Sequence, residues 1–414
     1  MSKVSHVPRV AITGLGAISS AGVGVPALWN GLLAGRGAFR RIERFDPSSL
    51  SVQIAAEVAE FTPPALPSSQ LELLDRFSQF ALVAADEAIQ HARLTIEDAE
   101  RDRIGVSVGS GFGGCATQDD RYQSIYGKGA TRVHPFSIPR MMHSAAASHL
   151  GMARGLRGPT LSFTTACAAA AHAIGEASEI IRSGRADVML AGGSEAPITF
   201  AVMMCWEAMR VLAPANGDAT RACRPFSRDR AGLVLAEGAG ILVLESWEHA
   251  VARGATILAE LAGYGATADA GHITQPGLDA PARAITLALE QGNLRAEQVG
   301  YVNAHGTGTR LNDAAETEII KRAFGPHAQT LAVSSTKSVH GHAIGASAAL
   351  ELIASILAIQ NGLVPPTANY TEVDPECDLD FVPNEPRAKP VEVAVSNSFA
   401  FGGLNAALAV KRVD

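Results

Sequence analysis

Apolar strand-like segments recur along the chain, each running into a loop of glycine and other small residues. They include "VAITGLGAI" from Val10, "RIGVSVGSGFGG" from Arg103, "ADVMLAGGSEA" over 186–196 and "VGYVNAHG" from Val299. Helix-like segments alternate with them, for example 73–92, where Phe77, Phe80, Ala81 and Ala84 share one face. Strands without polar alternation are typical of sheets covered by helices on both faces. The pattern therefore predicts an α/β fold with buried sheets.

Both halves of the chain contain strand-like segments that end in small-residue loops, although no residue-level repeat is visible. Residues 232–254, "GLVLAEGAGILVLESWEHAVARG", predict two buried strands around a Glu-Gly-Ala-Gly turn and then a helix. Near the C-terminus "PVEVAVSNSFAFGGLNAALAVKR" predicts a strand, a glycine turn and a strand. At 414 residues two lobes are expected, which we place at 1–258 and 259–414. No linker separates them, so one compact body is predicted.

Composition excludes several classes of protein. The formal net charge of −7 argues against a general nucleic-acid binder. Five scattered cysteines without CxxC spacing suggest neither a zinc site nor a disulfide framework, and they fit a reducing compartment. The N-terminal segment has no signal-peptide core, and no uninterrupted apolar run reaches about 18 residues. We expect a cytoplasmic protein without a membrane span.

One cysteine stands apart from the others because its neighbours are very small. Cys167 lies in "TTACAAAAHA", between a strand-like approach and a helix that stops at Gly184. A helix N-terminus favours the thiolate, which predicts a lowered thiol pKa and a nucleophile with room for a substrate. The alternative is a buried cysteine that acts as a small apolar side chain. This segment alone leaves both interpretations open.

Two of the twelve histidines follow predicted strands. His305 lies in "NAHGTGT" and His342 in "KSVHGHAIGAS", where strand-to-loop exits of α/β folds tend to form sites. Near a helix N-terminus His342 should stay neutral and donate a hydrogen bond. A metal site would need a third ligand at a defined spacing, and the sequence offers none, since His340 lies only two residues from His342.

Together these segments give a specific resemblance that covers nearly the whole chain. The motifs are "GLRGPTLSFTTACAAA", "EGAGILVLE", "VNAHGTGT", "KSVHGHAIGASAALE" and "NSFAFGGLN". They are similar to the β-ketoacyl-acyl-carrier-protein synthases, especially the type II elongating enzymes. The resemblance implies a thiolase-like, five-layered α/β/α/β/α fold built from two similar halves. It also implies a decarboxylative Claisen condensation of an acyl thioester with malonyl-acyl-carrier protein, through an acyl-Cys167 intermediate and with no cofactor.

The resemblance also assigns expected roles, residue by residue. His305 and His342 would bind the malonyl thioester carbonyl, and Lys337 would orient the site. The backbone N–H groups of Cys167 and Phe401 would form an oxyanion hole, with Phe399 and Phe401 as gating aromatics. The remaining expected residues are Thr307 and Thr309 at the phosphopantetheine arm, and a structural network of Asp313 and Glu316 near Lys337, together with Glu351.

Departures from the family pattern bear on specificity. Phe112 occupies a position that lines the acyl pocket in relatives, where a smaller residue is usual, so a shorter or re-routed pocket is predicted. Ala400 in the glycine-rich turn should resist a positive φ angle. No basic residue occurs in "LPSSQLEL", so an acidic carrier must dock elsewhere, with Arg132, Arg210 and Arg228 as candidates.

Other members of the superfamily fit the sequence less well. A thiolase would need a second cysteine near the C-terminus, and Cys377 lies outside the glycine-rich turn. The expected assembly is a homodimer, or a heterodimer with a chain-length-factor-like subunit in specialised metabolism. Fatty-acid, polyketide and polyene pathways all stay open.

Overall fold

The computed structural model describes residues 8–214 and 217–413. The strands run as follows: β1 Val10–Ser19, β2 Gly22–Val23, β3 Arg40–Arg41, β4 Ile54–Ala55, β5 Ile104–Gly109, β6 Thr160–Phe163, β7 Val188–Glu195, β8 Gly238–Ser246, β9 Ala259–Ala268, β10 Val299–Asn303, β11 Ala332–Ser334, β12 Leu363–Val364, β13 Arg387–Ala388, β14 Val393–Ala400 and β15 Leu404–Lys411.

The α-helices run as follows: α1 Val25–Ala34, α2 Ser68–Leu71, α3 Arg76–Ala92, α4 Cys115–Tyr122, α5 Ser137–Met141, α6 Ala145–Arg154, α7 Ala169–Arg182, α8 Phe200–Ala208, α9 Trp247–Ala252, α10 Asp279–Gln291, α11 Arg310–Phe324, α12 Lys337–His340 and α13 Ser347–Asn361. A 3₁₀ turn at Ala166–Ala168 precedes α7, and another at Ile344–Ala346 precedes α13.

The two halves repeat one strand topology. The N-terminal five strands lie in the order β6-β5-β7-β8-β1, and the C-terminal five lie in the order β11-β10-β14-β15-β9. Counted along each half, both orders are 3-2-4-5-1, and in each half the four neighbouring pairs are parallel, parallel, antiparallel and antiparallel. Among the described residues, the two sheets join where Ala11 and Ile12 pair with Glu260 and Ala259. The duplicated architecture is therefore present in the backbone, although the sequence shows no clear repeat.

Five layers result from how the helices cover these two sheets. Helices α7 and α13 contact strands of both halves and form the central layer. Helix α3 covers the outer face of the N-terminal sheet, and α10 covers that of the C-terminal sheet. The close approach depends on small residues: a Cβ at Gly16 of β1 would lie 1.8 Å from the carbonyl oxygen of Ala84 in α3. The predicted α/β/α/β/α fold is confirmed, while the boundary at 258 stays a prediction.

The central helix also bears on the expectation of no membrane span. Among the described residues one helical stretch, Ile344–Asn361, is long and apolar enough to cross a membrane by length and composition. Within the fold, 89% of that stretch is buried between the two sheets. Its apolar character is that of a core helix covered on all sides by protein.

The prediction of two strands around a turn in 232–254 is wrong. Only β8 is a strand, whereas Leu233, Leu235 and Ala236 form isolated bridges. The glycines lie inside β8 because the central helix packs directly onto it: a Cβ at Gly240 would lie 2.8 Å from the Cβ of Ala349. Glycine here serves close packing rather than chain reversal.

Candidate active site

Cys167 lies at the N-terminal end of the central helix α7. Strand β6 leads into the 3₁₀ turn, whose first residue, Ala166, has a φ of 48°, and helix α7 follows. This left-handed conformation is strained for alanine, and such strain is common next to functional groups. Cys167 is 6% exposed, and its Sγ atom faces the segment that contains His342.

Three predicted residues from distant parts of the chain meet at this point. The Sγ atom of Cys167, a ring nitrogen of His305 and a ring nitrogen of His342 all lie within 4.8 Å of one another. The Nε2 atom of His342 is 3.1 Å from Sγ. The imidazole ring centres of the two histidines are 5.5 Å apart, with the planes nearly perpendicular. The fold therefore brings the three residues of the predicted Cys-His-His cluster together.

The hydrogen bonds at Nδ1 indicate which tautomer His342 adopts. The backbone N–H of Ile344 donates to Nδ1 of His342 at 3.2 Å, and the Ser347 hydroxyl lies 2.9 Å from the same atom. A ring nitrogen that accepts from an amide has no proton of its own. The proton of His342 is therefore on Nε2, the nitrogen that faces Cys167.

The tautomer of His305 is set in the same way by a different partner, Lys337. The Lys337 ammonium, which has no acceptor capacity, lies 3.4 Å from Nδ1 of His305 and donates to the His305 carbonyl at 2.6 Å. His305 thus also carries its proton on Nε2. Both imidazoles therefore present N–H donors to the site, and the spacing of the three groups is also one that could hold a metal ion.

Burial decides the charge state of the site groups. Burial, followed by the nearby Lys337 charge and the other histidine, places the pKa of His305 well below its usual range. Burial, Lys337 and His340 do the same to the pKa of His342. Both rings are neutral at physiological pH, as predicted for His342, but the main cause is burial rather than a helix end.

The expectation of a lowered thiol pKa is wrong for this site. Burial raises the pKa of Cys167 to about 12, although Lys337 and the backbone N–H of Cys167 act in the opposite direction. Removal of water from the thiolate outweighs the helix terminus here. The resting group is a neutral thiol beside an Nε2–H donor.

Lys337 is a fully buried cation whose carboxylate partner is Glu351 in α13. The second carboxylate oxygen of Glu351, Oε2, has no hydrogen-bond partner among the residues that the structure describes. Burial raises the pKa of Glu351 even though Lys337 lowers it. Lys337 therefore joins the central helix to His305.

Asp313 and Glu316, expected as a structural network near Lys337, hold the backbone of the loop after β10. Glu316 accepts from the amides of His305 and Gly306, both at 2.7 Å. Asp313 accepts from the amides of Phe226 and Gly308 and lies 3.6 Å from Arg230. Burial raises the pKa of both carboxyl groups, that of Glu316 to about 7. These two carboxylates therefore bind the backbone of the loop, whereas the ion-pair partner of Lys337 is Glu351.

Two cavities meet at Cys167. The first has a volume of about 460 Å³ and is mostly apolar, with Phe112, Trp206 and Ile344 in its wall. The second has a volume of about 670 Å³ and is lined by both histidines, Thr307 and Thr309 among others. Cys167, Trp206, Met209 and Phe401 border both cavities.

The predicted gate lies where the cavities join. Phe401 is 36% exposed and stacks on Trp206, with ring centres 6.1 Å apart. Phe399 is buried with its ring centre 6.1 Å from that of His305. Ala400 is a strand residue, and the positive φ angles fall on Gly402 and Gly403. The expected conflict at Ala400 therefore does not arise.

Sequence reasoning missed several residues of this site. Ser347 and the Ile344 amide orient His342, Trp206 supports the gate, and Glu195 binds the loop before Phe112. Ile344 and Ser347 lie within the His342 motif itself, but a sequence does not show that their amide and hydroxyl groups face the ring. Trp206 and Glu195 are distant in sequence from the segments that they contact, and of these two only Glu195, an isolated charge at the end of an apolar strand, left a signal. Of the three predicted docking arginines, only Arg210 borders a cavity with Cys167; Arg132 and Arg228 are exposed elsewhere.

Comparison with known proteins agrees with this geometry. Family models described as "Beta-ketoacyl synthase, N-terminal domain" and "Beta-ketoacyl synthase, C-terminal domain" match residues 8–250 and 258–371. The chain is 49% identical over 405 residues to nodulation protein E of Rhizobium meliloti, covering 98% of this chain and 99% of that one. It is 44% identical over 407 residues to 3-oxoacyl-[acyl-carrier-protein] synthase 2 of Synechocystis, covering 98% of each.

A solved structure gives the same answer. The chain superposes on the ishigamide ketosynthase/chain length factor with a TM-score of 0.93 at 36% identity, covering 99% of this chain and 100% of that chain. The protein belongs to the β-ketoacyl synthase family, with a thiolase-like fold. More particularly, it is a ketosynthase of the elongating type, an acyltransferase that catalyses a condensation in fatty-acid or polyketide synthesis.

Proposed function

We propose that Cys167 accepts an acyl group from a carrier-bound thioester and then passes it to a malonyl-derived carbanion. The observation that supports this most directly is the convergence of one thiol and two neutral Nε2–H donors at the junction of two cavities. The first cavity suits an apolar chain, and the second, which the Thr307 and Thr309 side chains help to line, suits a pantetheine arm. A covalent intermediate divides a difficult transfer into two easier steps.

In the first half-reaction the sulfur of Cys167 attacks the thioester carbonyl. The S–acyl bond to the cysteine forms, the bond to the pantetheine sulfur breaks, and the cysteine proton leaves with the pantetheine thiol. The Nε2–H of His342, 3.1 Å from the sulfur, stabilises the negative charge as it develops. That donor compensates for a resting thiol whose pKa burial raises to about 12.

In the second half-reaction the malonyl thioester loses carbon dioxide. The electron pair of the broken C–C bond becomes an enolate, whose oxygen accepts hydrogen bonds from His305 and His342. A preorganised donor of this kind is worth about 3–4 kcal/mol of transition-state stabilisation. The enolate carbon attacks the acyl-Cys167 carbonyl, a C–C bond forms, and the cysteine sulfur departs. Loss of carbon dioxide drives the sequence, so we expect neither a metal nor a redox cofactor.

Supporting groups keep these donors in place. Lys337 acts on Nδ1 of His305 and so orients the ring electrostatically. The amides of Cys167 and Phe401, both of which border the two cavities, form the oxyanion hole for the carbonyl under attack. The hydroxyls of Thr307 and Thr309, 2.8 Å apart, line the second cavity and contact the phosphopantetheine arm.

The substrates arrive on an acyl carrier protein, as the name of the Synechocystis relative implies for that enzyme. Arg210 and Arg310 are exposed at the mouth of the second cavity, beside the exposed side chains of Leu311 and Ile273. An acidic carrier would be attracted to these two cations although the chain as a whole is negative. We therefore place docking at this mouth, with Arg210 as the one retained candidate.

A dimer is the expected assembly, in the cytoplasm. Strand β6 bonds only to β5 within the described residues, and its residues Thr160 and Leu161 are exposed. An exposed edge strand is a template for pairing with another chain. A second copy of this chain would extend the sheet. The structural similarity to a ketosynthase/chain length factor favours a second candidate, in which this chain is the catalytic subunit of a heterodimer.

Mass spectrometry of the Cys167 peptide tests the proposal. After incubation with acyl-carrier thioesters, the peptide should gain the mass of the acyl group, and Cys167→Ala should abolish the gain. His305→Ala should keep the acylation but lower malonyl decarboxylation by about 10²–10³-fold, because it removes one enolate donor. Absence of acylation from every primer, in a folded protein, would refute the assignment.

A further inference from the structure

Glu195 is a fully buried carboxylate without a role in the chemistry proposed above. It is the last residue of β7, and no lysine or arginine forms an ion pair with it in the part of the chain that the structure describes. Burial raises the pKa of Glu195 to about 7 despite the hydrogen bonds that it accepts. A buried charge without a counter-ion is costly, so its surroundings must stabilise it in another way.

Four hydrogen bonds surround the carboxylate. Oε1 accepts from the Ser110 hydroxyl at 2.9 Å and from the Phe112 amide at 3.1 Å. Oε2 accepts from the Gly111 amide at 2.5 Å and from the Gly345 amide at 3.0 Å. Three of these donors belong to the loop after β5, and one belongs to the 3₁₀ turn before α13. Glu195 therefore joins two segments that are more than two hundred residues apart.

Small residues bring these segments to the carboxylate. A Cβ at Gly345 would lie 2.4 Å from the Gly111 amide nitrogen and 2.6 Å from Oε2 of Glu195. A Cβ at Gly111 would lie 2.8 Å from the side chain of Ile344. The backbone of both segments is thus packed around one side chain, and neither can move far without breaking hydrogen bonds to it.

Each of the two segments has a function of its own in the site. Gly111 and Phe112 form part of the wall of the apolar cavity next to Cys167. Ile344, adjacent to Gly345, donates its amide to Nδ1 of His342 and also lines that cavity. The wall that an acyl chain would contact and the turn that orients a donor histidine therefore share one anchor.

We propose that Glu195 is a positioning residue that limits acyl-chain length by fixing the Gly111–Phe112 backbone. This inference rests on the proposed acylation of Cys167. In this proposal, a chain too long for the cavity displaces the Phe112 ring by turning the loop, so that the Gly111 and Phe112 amides leave the carboxylate. Short chains leave these hydrogen bonds intact. Glu195 thereby opposes displacement of the Phe112 ring. Because the Gly345 amide also bonds to Glu195, a shift of the carboxylate would move the turn whose Ile344 amide orients His342.

Glu195→Gln tests the idea, because glutamine keeps the size but replaces one acceptor oxygen with a donor. At least one loop amide then faces an N–H group instead of an acceptor, and the loop should loosen. We expect the ratio of kcat/KM for palmitoyl over hexanoyl pantetheine thioester to rise at least about tenfold, the lower limit of the factor that one lost hydrogen bond to a charged group represents. Loss of stability alone would lower both values equally.

Two further variants complete the experiment. Ser110→Ala removes one donor, keeps the carboxylate and should raise the same ratio less. Glu245→Gln, a change at a buried carboxylate of β8 that borders neither cavity, should lower the melting temperature and leave the ratio unchanged. An unchanged ratio in both Glu195→Gln and Ser110→Ala, with acyl-Cys167 detected by mass, would overturn this inference alone. No acyl-Cys167 in the wild-type protein with any primer would instead overturn the proposed function.

Discussion

The buried pair of Lys337 and Glu351 allows stability and chemistry to be separated. Both side chains are 0% exposed, and each is the only charged partner of the other among the described residues. Replacing one member leaves an uncompensated charge in a low-dielectric interior, which costs about 3–5 kcal/mol. Replacing both by apolar residues of similar volume is often neutral or stabilising.

The single variants Lys337→Met and Glu351→Leu should therefore each unfold earlier. With an unfolding entropy of roughly 2.1 cal/mol/K per residue, this loss corresponds to a melting temperature lower by about 3–6 °C for a chain of this length. The double variant should recover most of that loss. It should still be about 10²-fold slower in malonyl decarboxylation, because Nδ1 of His305 no longer faces a cation and the Nε2–H donor is no longer fixed.

Differential scanning fluorimetry and a decarboxylation assay on all four proteins would measure both effects. Wild-type activity in the double variant would refute the reasoning that Lys337 orients His305. A double variant as unstable as the sum of the singles would refute the claim that the cost lies in the unpaired charge.

Other perturbations should give equally specific results. Phe112→Ala should shift the acyl-length profile to longer chains in the same thioester series, and a profile identical to that of the wild type would show that the ring does not limit the cavity. Burial alone would raise the pKa of Glu245, but hydrogen bonds from Arg253, His249 and Thr13 lower it to about 2. About 3 kcal/mol of stability, present above pH about 4.5, should therefore be lost as the pH falls toward 2, and Glu245→Gln should flatten that part of the unfolding curve. The hydrogen bond to Glu245 raises the pKa of His249. The stability that protonated His249 contributes should therefore be fully present below pH about 6.5 and be lost as the pH rises through the raised pKa. Gly16→Ala should cost at least about 1–3 kcal/mol in urea denaturation, because its Cβ would overlap the backbone of α3; an unchanged midpoint would contradict the close packing of α3 on β1.

The sequence predicted most of the secondary structure where periodicity and small-residue loops agree. Helix α3 and strand β7 lie within two or three residues of their predicted ends. The failures have a common cause. The sequence pattern predicts a turn at Gly238 and Gly240, because a sequence does not show that a helix will pack against the strand that contains them.

The charge states of the site residues also depend on contacts that a sequence does not show. The helix end predicts a lower pKa for Cys167, yet the depth of burial, which depends on all the surrounding segments, raises it. Motifs placed Asp313 and Glu316 in a supporting network, but their partners are loop amides, which no side-chain pattern reveals.

Residue types and their local order determined that this chain builds layered sheets and that a thiol and two imidazoles are its reactive groups. Those properties follow from short-range rules of periodicity, propensity and intrinsic chemistry. Only the folded chain decided that the halves share one topology, that Nε2 of His342 faces the sulfur, and that Glu195 joins the cavity wall to the His342 turn. Contacts between segments hundreds of residues apart set burial, tautomer and hydrogen-bond partner, and these quantities exist only once the segments have packed together.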